Sequence, residues 1–214
     1  DLNKIARELI TDKNQVVNIY GPDNTQFKMP SKKDIESTIL TAQSKKYAPY
    51  VEKKLSGNLI EKLPKAGKIV SEQKDQFGYT KFVLSNGMKV FVKPTNFEAD
   101  EVNMNMFGLG GKSMFPDAVV PNLSYCAAAI QEGGIGSFDA ISLDKMLSGK
   151  TISVAPFIGE ETEGVKGSCN TKDMKTMFEL TYLYMTSPRK DEKAFNSLIN
   201  RQRAFLTNRN ANPN

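Results

Sequence analysis

The chain has 214 residues, 39% of them apolar, a net charge of +5 and no histidine. Histidine is the commonest general base near neutral pH and the commonest zinc ligand, so its absence excludes Ser-His-Asp and Cys-His catalysis and H-E-x-x-H metal sites for this chain alone. No stretch approaches the roughly 20 apolar residues of a membrane span, and the length suits one core with a fragment of another.

Asp1-Leu2-Asn3 offers no initiator Met and no targeting pattern, and Asn210-Ala211-Asn212-Pro213-Asn214 has no folding signature. Both ends are expected to be boundaries inside a longer polypeptide. Leu2, Ile5, Ala6, Leu9 and Ile10 fall at helical spacing. The run 15–20 predicts a strand, stopped by Gly21-Pro22. Ser31 and Asp34 form a capping-box pattern ahead of Ile35, Ile39 and Leu40, so a second helix starts there. These elements are too few to fold alone, and residues 1–45 read as the tail of a preceding α/β domain.

Residues 46–78 lose periodicity and read as a basic connector, long enough to tether two halves. Residues 28–68 hold ten lysines against Asp34, Glu36, Glu52 and Glu61, which accounts for the net positive charge. Arginine and interleaved aromatics on a defined face are missing, so a solvated surface is expected and no nucleic-acid partner.

Residues 79–214 are expected to form one further domain. Thr80 to Pro94 predicts a β-hairpin turning at Asn86-Gly87. Val102, Met104 and Met106 alternate with Asn103 and Asn105, as in a half-buried strand. A glycine turn at 108–111 leads into one helical run through Leu123 and Ile130. A second helix carries Ile141 to Leu147. Thr151–Phe157 and Gly164–Cys169 pair as strands. Helices over 171–185 and from Asp191 through Phe205 complete the order. Grouped helices and hairpins of this kind predict an α+β fold with a mainly antiparallel sheet.

Four local patterns invite a chemical reading. Gly108-Leu109-Gly110-Gly111-Lys112-Ser113 ends like a phosphate loop, but G-x-x-x-x-G-K-[ST] requires glycine where Met106 stands, so a structural turn is expected. Glu160, Glu161 and Glu163 cluster at a hairpin tip and could face a hard cation, although a solvated tip is the simpler account. Met104, Met106, Met146, Met174, Met177 and Met185 read as core filler. Cys126 and Cys169 lack companions at ligand spacing and read as buried thiols.

The segment Leu84-Ser85-Asn86-Gly87-Met88-Lys89-Val90-Phe91-Val92-Lys93-Pro94 resembles the first hairpin of the insulinase/pitrilysin zinc peptidases. The strand, glycine turn and helix that follow are similar in order, as are Thr151–Phe157, the helix ending at Ser187-Pro188 and the basic last helix to Asn212-Pro213. The resemblance covers about residues 80–214 and implies the insulinase/mitochondrial-processing-peptidase fold, with helices packed on one face of the sheet. In that family a helix carries H-x-x-E-H, two zinc-binding His one turn apart with a Glu that activates water. The matching positions are Tyr125, Ala128 and Ala129, none of which can serve. The third ligand, a Glu on a later helix, is missing too, since Glu192 is the last acid.

The resemblance therefore implies a degenerate domain with no catalytic, cofactor-binding or metal-ligating residue. It would be the linker and start of the non-catalytic second half of a two-half zinc metalloendopeptidase, enclosing peptide substrates. Zinc is expected in the upstream catalytic half of the same polypeptide, which is also the expected partner. Family relatives imply a periplasmic or cell-envelope location. The alternatives are a catalytically dead scaffold subunit of a processing-peptidase-like assembly and a nucleotide-binding domain.

Overall fold

The structure, a computed structural model, describes residues 2–9, 16–21, 28–48 and 58–209. Ile10, Gln15, Pro22 and Asn212-Pro213, used in the sequence reading, lie outside them. The chain divides into two compact units, Asp1–Glu52 and Lys53–Asn214.

The first unit contains α1 (Leu2–Leu9) and α2 (Lys32–Ser44). The expected capping box is present: Asp34 N–H donates to Ser31 Oγ at 3.3 Å and Ser31 N–H to Asp34 Oδ2 at 2.9 Å. α2 buries none of its residues. The strand expected over 15–20 is a correction, because residues 16–20 form no regular structure and Val16 and Tyr20 are exposed. A β-rich hexapeptide needs a partner for its backbone N–H and C=O groups, and pairs with none among the described residues.

The second unit holds two antiparallel sheets. β1 (Ile69–Lys74), β2 (Thr80–Leu84) and β3 (Lys89–Val92) form a meander. Its second turn lies at Asn86-Gly87: Gly87 takes φ 84°, Asn86 Oδ1 accepts from Met88 N–H at 3.1 Å, and Gly87 N–H donates to Leu84 O at 2.8 Å. Only glycine enters that left-handed region freely. At the first turn Asp75 Oδ1 accepts from Phe77 and Tyr79 N–H groups.

The second sheet has the order β4–β6–β5, with β4 at Val102–Leu109, β5 at Ile152–Ile158 and β6 at Thr162–Cys169. α3 (Val120–Leu123), α4 (Cys126–Gly133) and α5 (Ala140–Leu147) separate β4 from β5, and α6 (Met174–Thr186) and α7 (Glu192–Asn208) follow β6. Cross-strand partners Met104↔Gly167↔Val154 and Met106↔Val165↔Pro156 share one face. α6 packs against β5 and β6, and α4 against β5. Gly167 leaves room for the methionines, since a Cβ there would sit 3.2 Å from both Met104 Cε and Met177 Sδ. Met177, Leu180, Ile135 and Val165 are fully buried, each contributing roughly 1.5–3 kcal/mol by leaving water. This is the α+β, mainly antiparallel arrangement that the element order implied.

Three local expectations need correction. Within the stretch read as a featureless connector, Leu59 and Ile60 join the core of Ile135, Phe138, Leu143, Leu180 and Leu183, and β1 pairs with β2. A lone apolar pair among lysines has no period to detect. The single helical run through Leu123 and Ile130 is two helices, because Tyr125 N–H bonds the carbonyl of Asn122, three residues back, rather than four. Met174 and Met185 are exposed, while Met177 takes the core position.

Candidate functional site

The site to test is the glycine turn with the helices behind it. β4 ends at Leu109, and Gly110 and Gly111 take φ 146° and 63°. The N–H groups of Gly110, Lys112 and Ser113 donate to the carbonyls of Glu161, Gly159 and Glu160 at 2.8, 2.9 and 2.9 Å. Ser113 Oγ donates to Gly110 O at 2.7 Å. A phosphate loop must point such N–H groups at its anion. Here they clamp the β5–β6 turn instead, and Lys112 Nζ ion-pairs with Glu160 at 2.9 Å. The turn is structural, and the nucleotide-binding alternative loses its geometric basis.

The glutamates of the 160–163 tip separate. Glu160 is taken by Lys112, Glu161 lends its backbone carbonyl to Gly110, and the Glu163 carboxylate lies beside Gly110. No three His, Cys, Asp or Glu side chains among the described residues are grouped to hold a metal ion.

Behind the turn, Tyr125 caps α4 at its N-terminus and Ala128 and Ala129 lie in its first turn. Ala129 N–H bonds Tyr125 O at 2.9 Å, so positions 125, 128 and 129 share one helical face. These three positions have the spacing of an H-x-x-E-H turn. Their side chains are a phenol and two methyl groups, which offer zinc neither imidazole nor carboxylate, so this donor set does not fit the metal.

α7 lies against α4. Asp191 Oδ1 caps it by accepting from Ala194 N–H at 3.0 Å. From its middle, Arg201 ion-pairs with Glu132 on α4 and also reaches Ser197 Oγ at 3.1 Å. α4 ends at Gly134, φ 82°, where a Cβ would lie 2.2 Å from Phe138 O. Ile135 then bridges to both Phe138 and Pro188. The helix end is thereby bolted to the segment that precedes α7.

A polar knot that the sequence reading missed fastens the other end of the sheet. Asp173, buried at the start of α6, accepts from Thr151 N–H at 3.0 Å and Lys150 Nζ at 3.4 Å. Asp100, at φ 58°, accepts from the Thr171 hydroxyl and from Thr171 N–H at 3.0 Å, which holds its carboxyl below the ordinary aspartate value. Burial, with the negative charges of Asp173 and Asp100, pushes the Cys169 thiol up. Cys126 and Cys169 are both free. An N-x-x-D helix start at Asn170 was the legible signal for this knot, since Asn170 Oδ1 accepts from Asp173 N–H at 3.0 Å.

No family model matches the chain. The zinc protease PQQL-like of Arabidopsis thaliana is 24% identical over 149 residues, which cover 69% of this chain and 16% of that protein. The periplasmic protease PqqL from Escherichia coli superposes with a TM-score of 0.66 at 20% identity, over 86% of this chain and 20% of its own. These likenesses support the resemblance of residues 80–214 to the insulinase/pitrilysin zinc peptidases. A mutant of the ferredoxin protease FusC, in complex with Arabidopsis ferredoxin, superposes with a TM-score of 0.54 at 17% identity, over 77% of this chain and 18% of that one. The insulinase-type fold is thus shared, and this chain spans no more than a fifth of the length of these relatives. No helix among the described residues is long and apolar enough to cross a membrane.

Proposed function

We propose that this chain is a non-catalytic segment of a two-half zinc metalloendopeptidase, one wall of the chamber that encloses its peptide substrate. Residues 1–45 would end the first half, 46–78 would form the basic connection, and 79–214 would open the degenerate second half. One observation carries the reading: in a chain whose fold matches PqqL, positions 125, 128 and 129 have H-x-x-E-H spacing on one helical face and carry Tyr125, Ala128 and Ala129. Loss of ligands removes chemistry and leaves the fold, which the apolar pattern sets. Zinc would belong to the upstream catalytic half, and the periplasmic location of PqqL supports a periplasmic or envelope setting.

The test is zinc quantification with a peptidase assay, on this chain and on the native polypeptide that contains it. Zinc and cleavage in the long form alone are expected. A long form that is zinc-free and inert would overturn the reading in favour of a scaffold subunit.

A further inference from the structure

We infer that the outer face of β4–β6–β5 binds an extended peptide bearing an apolar side chain and a carboxylate two residues apart. The inference rests on the reading above that this segment faces enclosed peptides, and names what it would hold.

Strand register divides that face into three rows. Asn103, Ser168 and Ser153 form the first, Asn105, Lys166 and Ala155 the second, and Phe107, Gly164 and Phe157 the third. Successive rows lie two residues apart, about 6.6–7 Å, the same repeat by which an extended peptide presents side chains to one side. In the third row two phenylalanines flank bare backbone. Gly164 admits no side chain, because a Cβ would fall 1.9 Å from Met106 O. The result is a slot with aromatic walls, and Phe107 remains 59% exposed.

In the second row the Lys166 ammonium stands 4.8 Å from the centre of the Phe157 ring. No carboxylate among the described residues pairs with it. A shallow depression of about 350 Å³ surrounds it, lined by Asn103, Asn105, Ser153 and Ser168. Asn105, Ser153 and Ser168 offer donors and acceptors to a peptide main chain, whereas Asn103 Nδ2 already donates to Glu101 Oε1 at 3.1 Å. A solvent-facing cation beside an aromatic slot selects a ligand with a negative charge next to an apolar group, and disfavours a basic one.

The experiment uses labelled peptides carrying Phe and Asp two residues apart, with counterparts in which Asp becomes Lys or Phe becomes Ala, in anisotropy titrations with this chain. The Phe/Asp peptide is expected to bind roughly fivefold or more tighter than the Phe/Lys one at low salt, as for one exposed ion pair gained against one repulsion. Lys166→Glu should invert that preference, and Phe107→Ala should weaken both peptides, with unchanged thermal melting as the control for folding. No binding, or a preference that Lys166→Glu leaves unmoved, overturns the inference. Zinc content and cleavage by the long polypeptide are read separately. An inert long form overturns the peptidase reading even where the peptide preference stands.

Discussion

Glu132 on α4 and Arg201 on α7 face each other as an ion pair, joining the helix that carries the 125–129 turn to the last helix of the chain. Here the link is made of opposite charges, with Arg201 steadied by Ser197.

That pair stands partly in water, with the Arg201 and Glu132 side chains 53% and 39% exposed. Arg201→Ala should therefore cost only about 0.5 kcal/mol, and the difference should vanish near 1 M salt. Urea unfolding of both proteins at low and high salt checks this.

The 125–129 turn is helical, with positions 125 and 129 joined by a backbone hydrogen bond, so side chains at these positions decide whether it can ligate a metal. The double variant Tyr125→His with Ala129→His should acquire saturable zinc binding, because imidazoles four residues apart share a helical face. Calorimetric titration should show binding in the variant and none in the parent chain. Equal behaviour of the two would mean that the turn is not formed as described.

Gly111 sits at φ 63°, and a Cβ there would meet Gly159 O at 2.5 Å and Thr162 N at 2.7 Å. Gly111→Ala should destabilise the protein by about 1–3 kcal/mol. Gly108→Ala, with open space and no left-handed backbone, is the matched control and should change little. Comparing the two urea midpoints separates a structural turn from a merely glycine-rich one.

The two hydrogen bonds from Thr171 depress the carboxyl of Asp100 below its unfolded value. Its contribution is then fully present above the unfolded value of about 3.9 and is lost as pH falls through the lower folded value. Asp100→Asn should give a protein whose stability falls less steeply below about pH 4. Thermal melts from pH 5 downward would show the two curves converging, and parallel curves would refute the role assigned to Thr171.

Chemistry that the sequence settled was chemistry of composition. A chain without histidine cannot supply imidazole, and no tertiary arrangement can change that. Periodicity also located most elements: the alternation at 102–106 became β4, Asn86-Gly87 became a turn, and Ser31 with Asp34 became a capping box. These signals are local, carried by neighbours within one turn or one strand.

Only the tertiary structure decided what depends on distant partners. Leu59 and Ile60 lacked any period, yet entered the core because Ile135 and Leu183 gave them an apolar surface to cover. Residues 16–20 had strand chemistry and no strand to pair with among the described residues. Gly110 to Ser113 had most of a phosphate-loop sequence, but their N–H groups were claimed by carbonyls some fifty residues away. Sequence thus fixes which groups exist and which local shapes are cheap. Which partner each group meets is set by packing, where burial and hydrogen bonding between distant segments outweigh local preference.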